Sequence, residues 1–177
     1  MNLQFKTATI NDAQAIAKLV NSAYRPTGDI KGWTHESELI SGERTNIDQV
    51  CSLFRDNSYV LVAVENGNIV ACVHVEIHGL NAHIGMLATS PEVQGLGYGK
   101  QMLSYAEDIA SKNFSATKYV MKVLLARKEL LAFYIRRGYI TTGSTYEYPA
   151  SAGVGSPKVT NLQVGVLEKV ANISYVS

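Results

Sequence analysis

The chain has 177 residues, 46% of them hydrophobic and 18% charged, with a formal net charge of +1. That is the composition of one globular domain, residues 1–177, with enough chain for a substantial core. It excludes extensive disorder and a strongly basic nucleic-acid-binding surface, and no apolar run approaches the roughly 20 residues of a membrane-spanning helix.

Residues 3–9 alternate in the manner of a strand. Asn11, with Gln14 three residues on, reads as an N-cap pair opening a helix whose apolar positions Ala13, Ile16, Ala17, Val20 and Ala23 share one face. Pro26 and Gly28 end it. Residues 29–44 form an irregular connection that holds the only tryptophan, Trp33, close to Glu36, Glu38 and Arg44. Trp33 has two readings. It caps the edge of the core, or it lines a pocket for a cationic or aromatic acceptor with Glu36 or Glu38 as counter-charge.

Residues 46–55 read as a second helix with Val50, Leu53 and Phe54 inward. Residues 59–64 and 69–78 read as strands joined by the hairpin signal Glu65-Asn66-Gly67-Asn68. In the later strand Ala71, Val73, Val75 and Ile77 take one face, while Cys72, His74, Glu76 and His78 take the other. That polar face either lines a cleft or lies half exposed. Residues 83–88 continue as a further, buried strand. Cys51 and Cys72 are too few for a disulfide framework and read as buried thiols of a reducing, cytoplasmic setting. The N-terminus lacks the apolar core of a signal peptide.

The stretch Thr89-Ser90-Pro91-Glu92-Val93-Gln94-Gly95-Leu96-Gly97-Tyr98-Gly99-Lys100 then places three glycines at alternate positions between a strand and an amphipathic helix. Missing Cβ atoms let such a backbone turn sharply and present N–H groups, and the helix adds the positive end of its dipole, so the segment suits an anion such as phosphate. Spacing eliminates two versions. A Walker A loop needs Gly at Gln94 and Ser or Thr at Gln101. A dinucleotide fingerprint needs a third Gly at Lys100 or at Met102.

Residues 111–117 read as a polar connection and 118–125 as a strand. Residues 127–137 read as a helix stopped by Gly138, with Arg136 and Arg137 suiting its C-terminal end. Residues 139–146 and 160–170 read as the last strands, around a Gly/Ala/Ser loop at 149–157. Between Gln94 and Arg137 stand eight basic and three acidic residues, so this segment is +5 and the remainder −4. A polyanionic cofactor is drawn to the former.

The pattern Gln94-x-x-Gly97-x-Gly99 resembles the pyrophosphate loop of the GNAT superfamily N-acetyltransferases. The later Phe133-Tyr134, followed by Gly138-Tyr139, resembles that superfamily's second signature. The resemblance implies an α+β fold, an α/β/α sandwich in which a mixed, mostly antiparallel twisted sheet of about seven strands is flanked by four helices. It implies acetyl-coenzyme A as co-substrate, with no metal, and acetyl transfer to the amine of a small molecule, amino acid or peptide in a ternary complex. By match, Gln94, Gly95, Leu96, Gly97, Tyr98, Gly99 and Lys100 hold the pyrophosphate. Leu87, Ala88 and Thr89 pair with the pantetheine arm as an added strand, and Arg127 contacts the coenzyme or the substrate. Tyr134 takes the place of the general acid and His83 that of the base, with Glu36 and Glu76 in reserve. Trp33, Glu36, Arg44 and Glu76, with the 149–157 loop, are the candidate acceptor pocket. A catalytically silent acyl-coenzyme A-binding module is the other function this sequence admits. Neither reading calls for nucleic acid or membrane, and edge strands near the C-terminus suit a monomer or a homodimer.

Overall fold

The computed structural model describes residues 2–27, 32 and 35–172. The elements are, in order, β1 (Gln4–Thr7), α1 (Ala13–Tyr24), β2 (Ile40–Ser41), α2 (Ile47–Cys51), β3 (Ser58–Glu65), β4 (Asn68–His78) and β5 (Asn81–Thr89). They continue with α3 (Tyr98–Phe114), β6 (Lys118–Leu124), α4 (Lys128–Ile135), β7 (Ile140–Glu147), β8 (Ser156–Pro157) and β9 (Gln163–Val170). Seven strands form one sheet in the order β1-β3-β4-β5-β6-β9-β7. Every pairing in it is antiparallel except that of β5 with β6.

The alternation of β4 explains the layers. Ala71, Val73 and Val75 face a core completed by Met102, Leu103 and Ala106 of α3 and by Phe133 and Tyr134 of α4. Cys72 points the other way, into a core made with Ile16 and Val20 of α1 and Val50 of α2. Burial pushes the Cys72 thiol up to about 12, so it is an inert packing group. The five positions expected on the inner face of α1 are all buried, and so is Leu19. Each large aliphatic side chain withdrawn from water this way contributes about 1.5–3 kcal/mol.

Four boundaries differ from the sequence reading, each for a local reason. The chain enters α1 through a 3₁₀ turn (Ile10–Asp12) opened by Thr9, whose backbone N–H donates to Asp12 Oδ2 at 2.9 Å, rather than through Asn11 and Gln14. The second helix does start from Asn46, whose side chain accepts from the Gln49 N–H at 2.8 Å, but stops at Cys51. Helix α3 runs on to Phe114, through residues that look like a connection. The Lys112–Asp108 pair at 3.2 Å keeps that polar turn helical until Ser115, at φ 56°, ends it. Finally, the 149–157 segment is not a plain loop: β8 pairs with β2, Ile40 opposite Pro157 and Ser41 opposite Ser156. Gly155, at φ 107°, makes this possible, because a Cβ there would collide with Arg25 and with the Ser41 carbonyl.

Candidate active site

The one parallel pairing among the described residues brings Asn81, Ala82 and His83 beside Lys118, Tyr119 and Val120, and it goes no further. Beyond His83 the β5 strand bulges. Its register with β4 shifts between Cys72 and His74, and Met86 takes a positive φ of 52°. Strands β5 and β6 therefore part, and two cavities of about 230 and 590 Å³ occupy the opening. They share Tyr24, Leu87, Arg127, Leu130 and Tyr134 as a common wall.

The smaller cavity is floored by the glycine loop. Gly95 and Gly97 have φ of 87° and 80°, a region that a side-chain-bearing residue rarely enters. Gly97 is the N-cap of α3, and the first bond of that helix runs from the Gln101 N–H to the Gly97 carbonyl at 3.1 Å. The N–H groups of Tyr98, Gly99 and Lys100 thus lack intrahelical partners, and no side chain caps the helix. Lys100, Arg127 and Arg137 line the same cavity, and among the described residues no acid does. Fixed donors, a helix dipole and three cations together suit a pyrophosphate.

The expected cofactor residues divide. Leu87, Thr89, Gln94, Gly95, Gly97, Tyr98, Gly99, Lys100 and Arg127 line this cavity. Ala88 is buried in the core under α1, and Leu96 is 58% exposed, so the side chains of these two point elsewhere. Tyr98 turns its ring inward, where its hydroxyl donates to Glu65 Oε1 at 2.6 Å. Gln94 fastens the loop. Its amide donates to the Thr89 carbonyl at 3.1 Å, and its side chain fills the space that a Cβ on Gly32 would need. Arg137 is an addition. Its guanidinium folds back over the Phe133 ring at 3.9 Å and donates to the Phe133 carbonyl, leaving a buried Nε with no partner among the described residues. Read as a sequence, Arg137 is only a cation complementing a helix dipole.

The larger cavity brings Glu36, Arg44, Glu76 and His83 together with Pro149 and Val154 of the β8 approach. Trp33 lies outside the described residues. Glu36, 5% exposed, is occupied: its Oε1 accepts from Arg25 Nε and Nη2 at 3.0 and 2.7 Å, and Oε2 lies 3.5 Å from Arg127 Nη1. As a counter-charge for an amine it is already spoken for. Glu76 is likewise engaged, accepting from Arg55 Nη2 at 2.6 Å. Burial raises the pKa of its carboxyl, but Arg55 outweighs that and holds it below the usual range.

Tyr24, which nothing in the sequence distinguishes from the other aromatics, is central. It ends α1, and its hydroxyl donates at 2.8 Å to the Leu87 carbonyl, beyond the reach of β6. The guanidinium groups of Arg44 and Arg127 each sit over its ring, at 5.7 and 5.6 Å. Tyr134 is 5% exposed and packs edge-on against Phe133 and Tyr139. Its hydroxyl makes no hydrogen bond among the described residues. Burial, with Tyr24 adding to it against Arg127, raises its pKa above that of an ordinary phenol, so it is protonated at neutral pH. His83 meets His78 edge-on at 4.8 Å. Burial and then the neighbouring His78 and Lys122 lower its pKa, which keeps the imidazole neutral and able to accept a proton. Among the described residues no group of three or more His, Cys, Asp or Glu is arranged to hold a metal ion.

His74 lines the same cavity with its Nε2 at 2.7 Å from Ser58 Oγ. Burial holds its pKa down to about 4, against the pull of Glu76 and with help from Arg55. An unfolded imidazole titrates near 6.5. Between these two values the unfolded chain binds a proton that the folded chain refuses. The stabilisation is therefore complete above pH 6.5 and is lost as the pH falls toward about 4. Urea denaturation should show a loss of about 3 kcal/mol across that window, with a flatter profile in His74→Gln. An equally steep profile in the variant would remove His74 as the cause.

Comparison with known proteins agrees with this architecture. The model of the acetyltransferase (GNAT) family matches residues 14–139. An S-alkylcysteine N-acetyltransferase of Bacillus subtilis (strain 168) is 26% identical over 145 residues, which is 76% of this chain and 77% of the relative. Among solved structures, the ribosomal-protein-S18-alanine N-acetyltransferase from Escherichia coli superposes with a TM-score of 0.73 at 12% identity, covering 98% of this chain and 96% of its own. A spermidine N-acetyltransferase chimera from Vibrio cholerae and hSSAT gives 0.67 at 15% identity, with 97% of each chain covered. At these identities the structural matches speak for the fold.

Proposed function

Because this chain belongs to the GNAT acetyltransferase family, we propose that it transfers an acetyl group from acetyl-coenzyme A to a primary amine by direct attack in a ternary complex. The observation that carries this reading is the pair of cavities. One has the donors and cations of a pyrophosphate site, the other holds a neutral imidazole, and they meet at the wall formed by Leu87 and Tyr134. A donor entering from one side and an acceptor from the other would place thioester and amine at that wall, with no covalent enzyme intermediate required.

In this reading the loop from Gln94 to Lys100, with Arg137, binds the pyrophosphate. The strand edge that β6 leaves unpaired after His83 offers backbone groups to the pantetheine arm and an N–H for the developing oxyanion. As the C–N bond forms and the C–S bond breaks, the thiolate takes the Tyr134 proton. The amine's excess proton leaves toward His83. Leu87 lies four positions beyond His83 on a bulged strand, at most about 13 Å away, so that transfer runs through water in the larger cavity.

The test is release of coenzyme A thiol from acetyl-coenzyme A over a panel of amino acids, polyamines and peptides, run alongside calorimetric binding of acetyl-coenzyme A. Turnover on at least one class is expected. Tight binding with no turnover on any would replace this reading with that of a silent acyl-coenzyme A-binding module.

A further inference from the structure

Among the described residues, the charges lining the larger cavity do not balance. Arg25, Arg44, Lys122 and Arg127 stand against Glu36 and Glu76. Both acids are engaged, Glu36 by Arg25 and Arg127, and Glu76 by Arg55 with His78 at 3.7 Å. Arg44 has no carboxylate within ion-pair distance among the described residues; its partner is the face of Tyr24. Lys122 likewise lies over an aromatic ring, that of Tyr146, at 5.6 Å. A cavity with two cations unmatched by acids attracts an anionic ligand and repels a polycation.

Arg44 is also held in place. The Asn21 side chain accepts from the backbone N–H groups of Arg44 and Thr45 at 2.9 and 3.1 Å and donates to the Thr45 carbonyl at 2.9 Å. Its backbone is thereby pinned to α1, one turn before Tyr24. Tyr24 in turn reaches the Leu87 carbonyl in the wall between the two cavities. The cation therefore stands one aromatic ring away from the place where the amine must attack. An acceptor that satisfies both carries its anion close to its amine. Beside these charges the lining is mixed: Ile84, Leu124 and Val164 are apolar, while His74, His78, His83, Tyr146 and Tyr148 are polar.

From this geometry we infer that the acceptor is an α-amino acid, its carboxylate bound by Arg44. The inference rests on the acetyl-transfer reading above and narrows it. A bidentate guanidinium–carboxylate contact supplies orientation as well as affinity, and a neutral amide cannot reproduce it.

The experiment compares L-methionine, L-methioninamide and spermidine as acceptors for the wild type, Arg44→Gln and Arg44→Lys. The acid should exceed its amide in kcat/KM by about 10- to 100-fold, a range set by hydrogen bonds to charged groups, and spermidine should rank last. In Arg44→Gln the acid-to-amide ratio should fall toward one while turnover of the amide persists, and Arg44→Lys should recover part of the ratio. An amide as good as the acid, spermidine as the best acceptor, or a ratio unmoved by Arg44→Gln would each overturn the inference while leaving the enzyme an amine acetyltransferase. Failure of all three acceptors in a protein that binds acetyl-coenzyme A would overturn it together with the reading on which it rests.

Discussion

Tyr134→Phe is expected to lower kcat by about 100-fold or more while the Kd for acetyl-coenzyme A stays within about twofold, as befits loss of a general acid. The ring packs against Phe133 and Tyr139 and lies in the wall that both cavities share, so the phenylalanine keeps the packing and loses only the proton. Because Tyr134 is 5% exposed and its hydroxyl satisfies no other group among the described residues, the fold should tolerate the change. The loss should shrink with an acyl donor whose leaving group is a better one, since such a thiolate needs less help from an acid. Full turnover in the variant would exclude Tyr134 from the proton path.

Gly97→Val should weaken acetyl-coenzyme A binding by at least about 100-fold, equivalent to one or two of the charge-assisted hydrogen bonds that the loop supplies. At φ 80° a β-branched residue costs about 1–3 kcal/mol, and the backbone escapes that strain by rotating the N–H groups at the start of α3 away from the cavity. Gly67→Val is the matched control. Gly67 has φ 78° and, like Gly97, nothing within 4 Å of an added Cβ, but it sits in the β3–β4 hairpin. It should destabilise the fold without altering calorimetric binding. If both variants bind the coenzyme as the wild type does, the loop is not its site.

What the sequence discloses and what it withholds follow from how local each signal is. The glycine loop, the buried face of α1 and the alternation of β4 are written in consecutive residues, and all three are as expected in the structure. The polar face of β4 does line a cleft, because α1 covers that face at Cys72 and leaves it uncovered from His74 onward. Tyr24 was illegible for the opposite reason: it owes its place to the parting of β5 from β6, far from it in sequence. Arg137 was legible as a cation near the end of α4, but not its fold back over Phe133 four residues earlier toward the glycine loop. Glu36 was legible as a charge near the site, but its two arginine partners lie 11 and 91 residues away, so its occupancy could not be read from its neighbours in sequence. The β2–β8 pairing joins segments 115 residues apart at Ser41 and Ser156, and two-residue strands leave no periodicity to detect.

The proposed coenzyme site is anchored in the seven-stranded sheet and α3, where a changed residue disturbs many others at once. The larger cavity is lined mostly by β4, β5, β6, β7 and β9 of that sheet, and the connections that meet at the two β2–β8 residue pairs and Gly155 add only its rim, with Glu36, Arg44, Pro149 and Val154. In the function proposed above, exchanging those two connections for others of different length and charge would reshape the rim of the acceptor cavity and leave the glycine loop as it is.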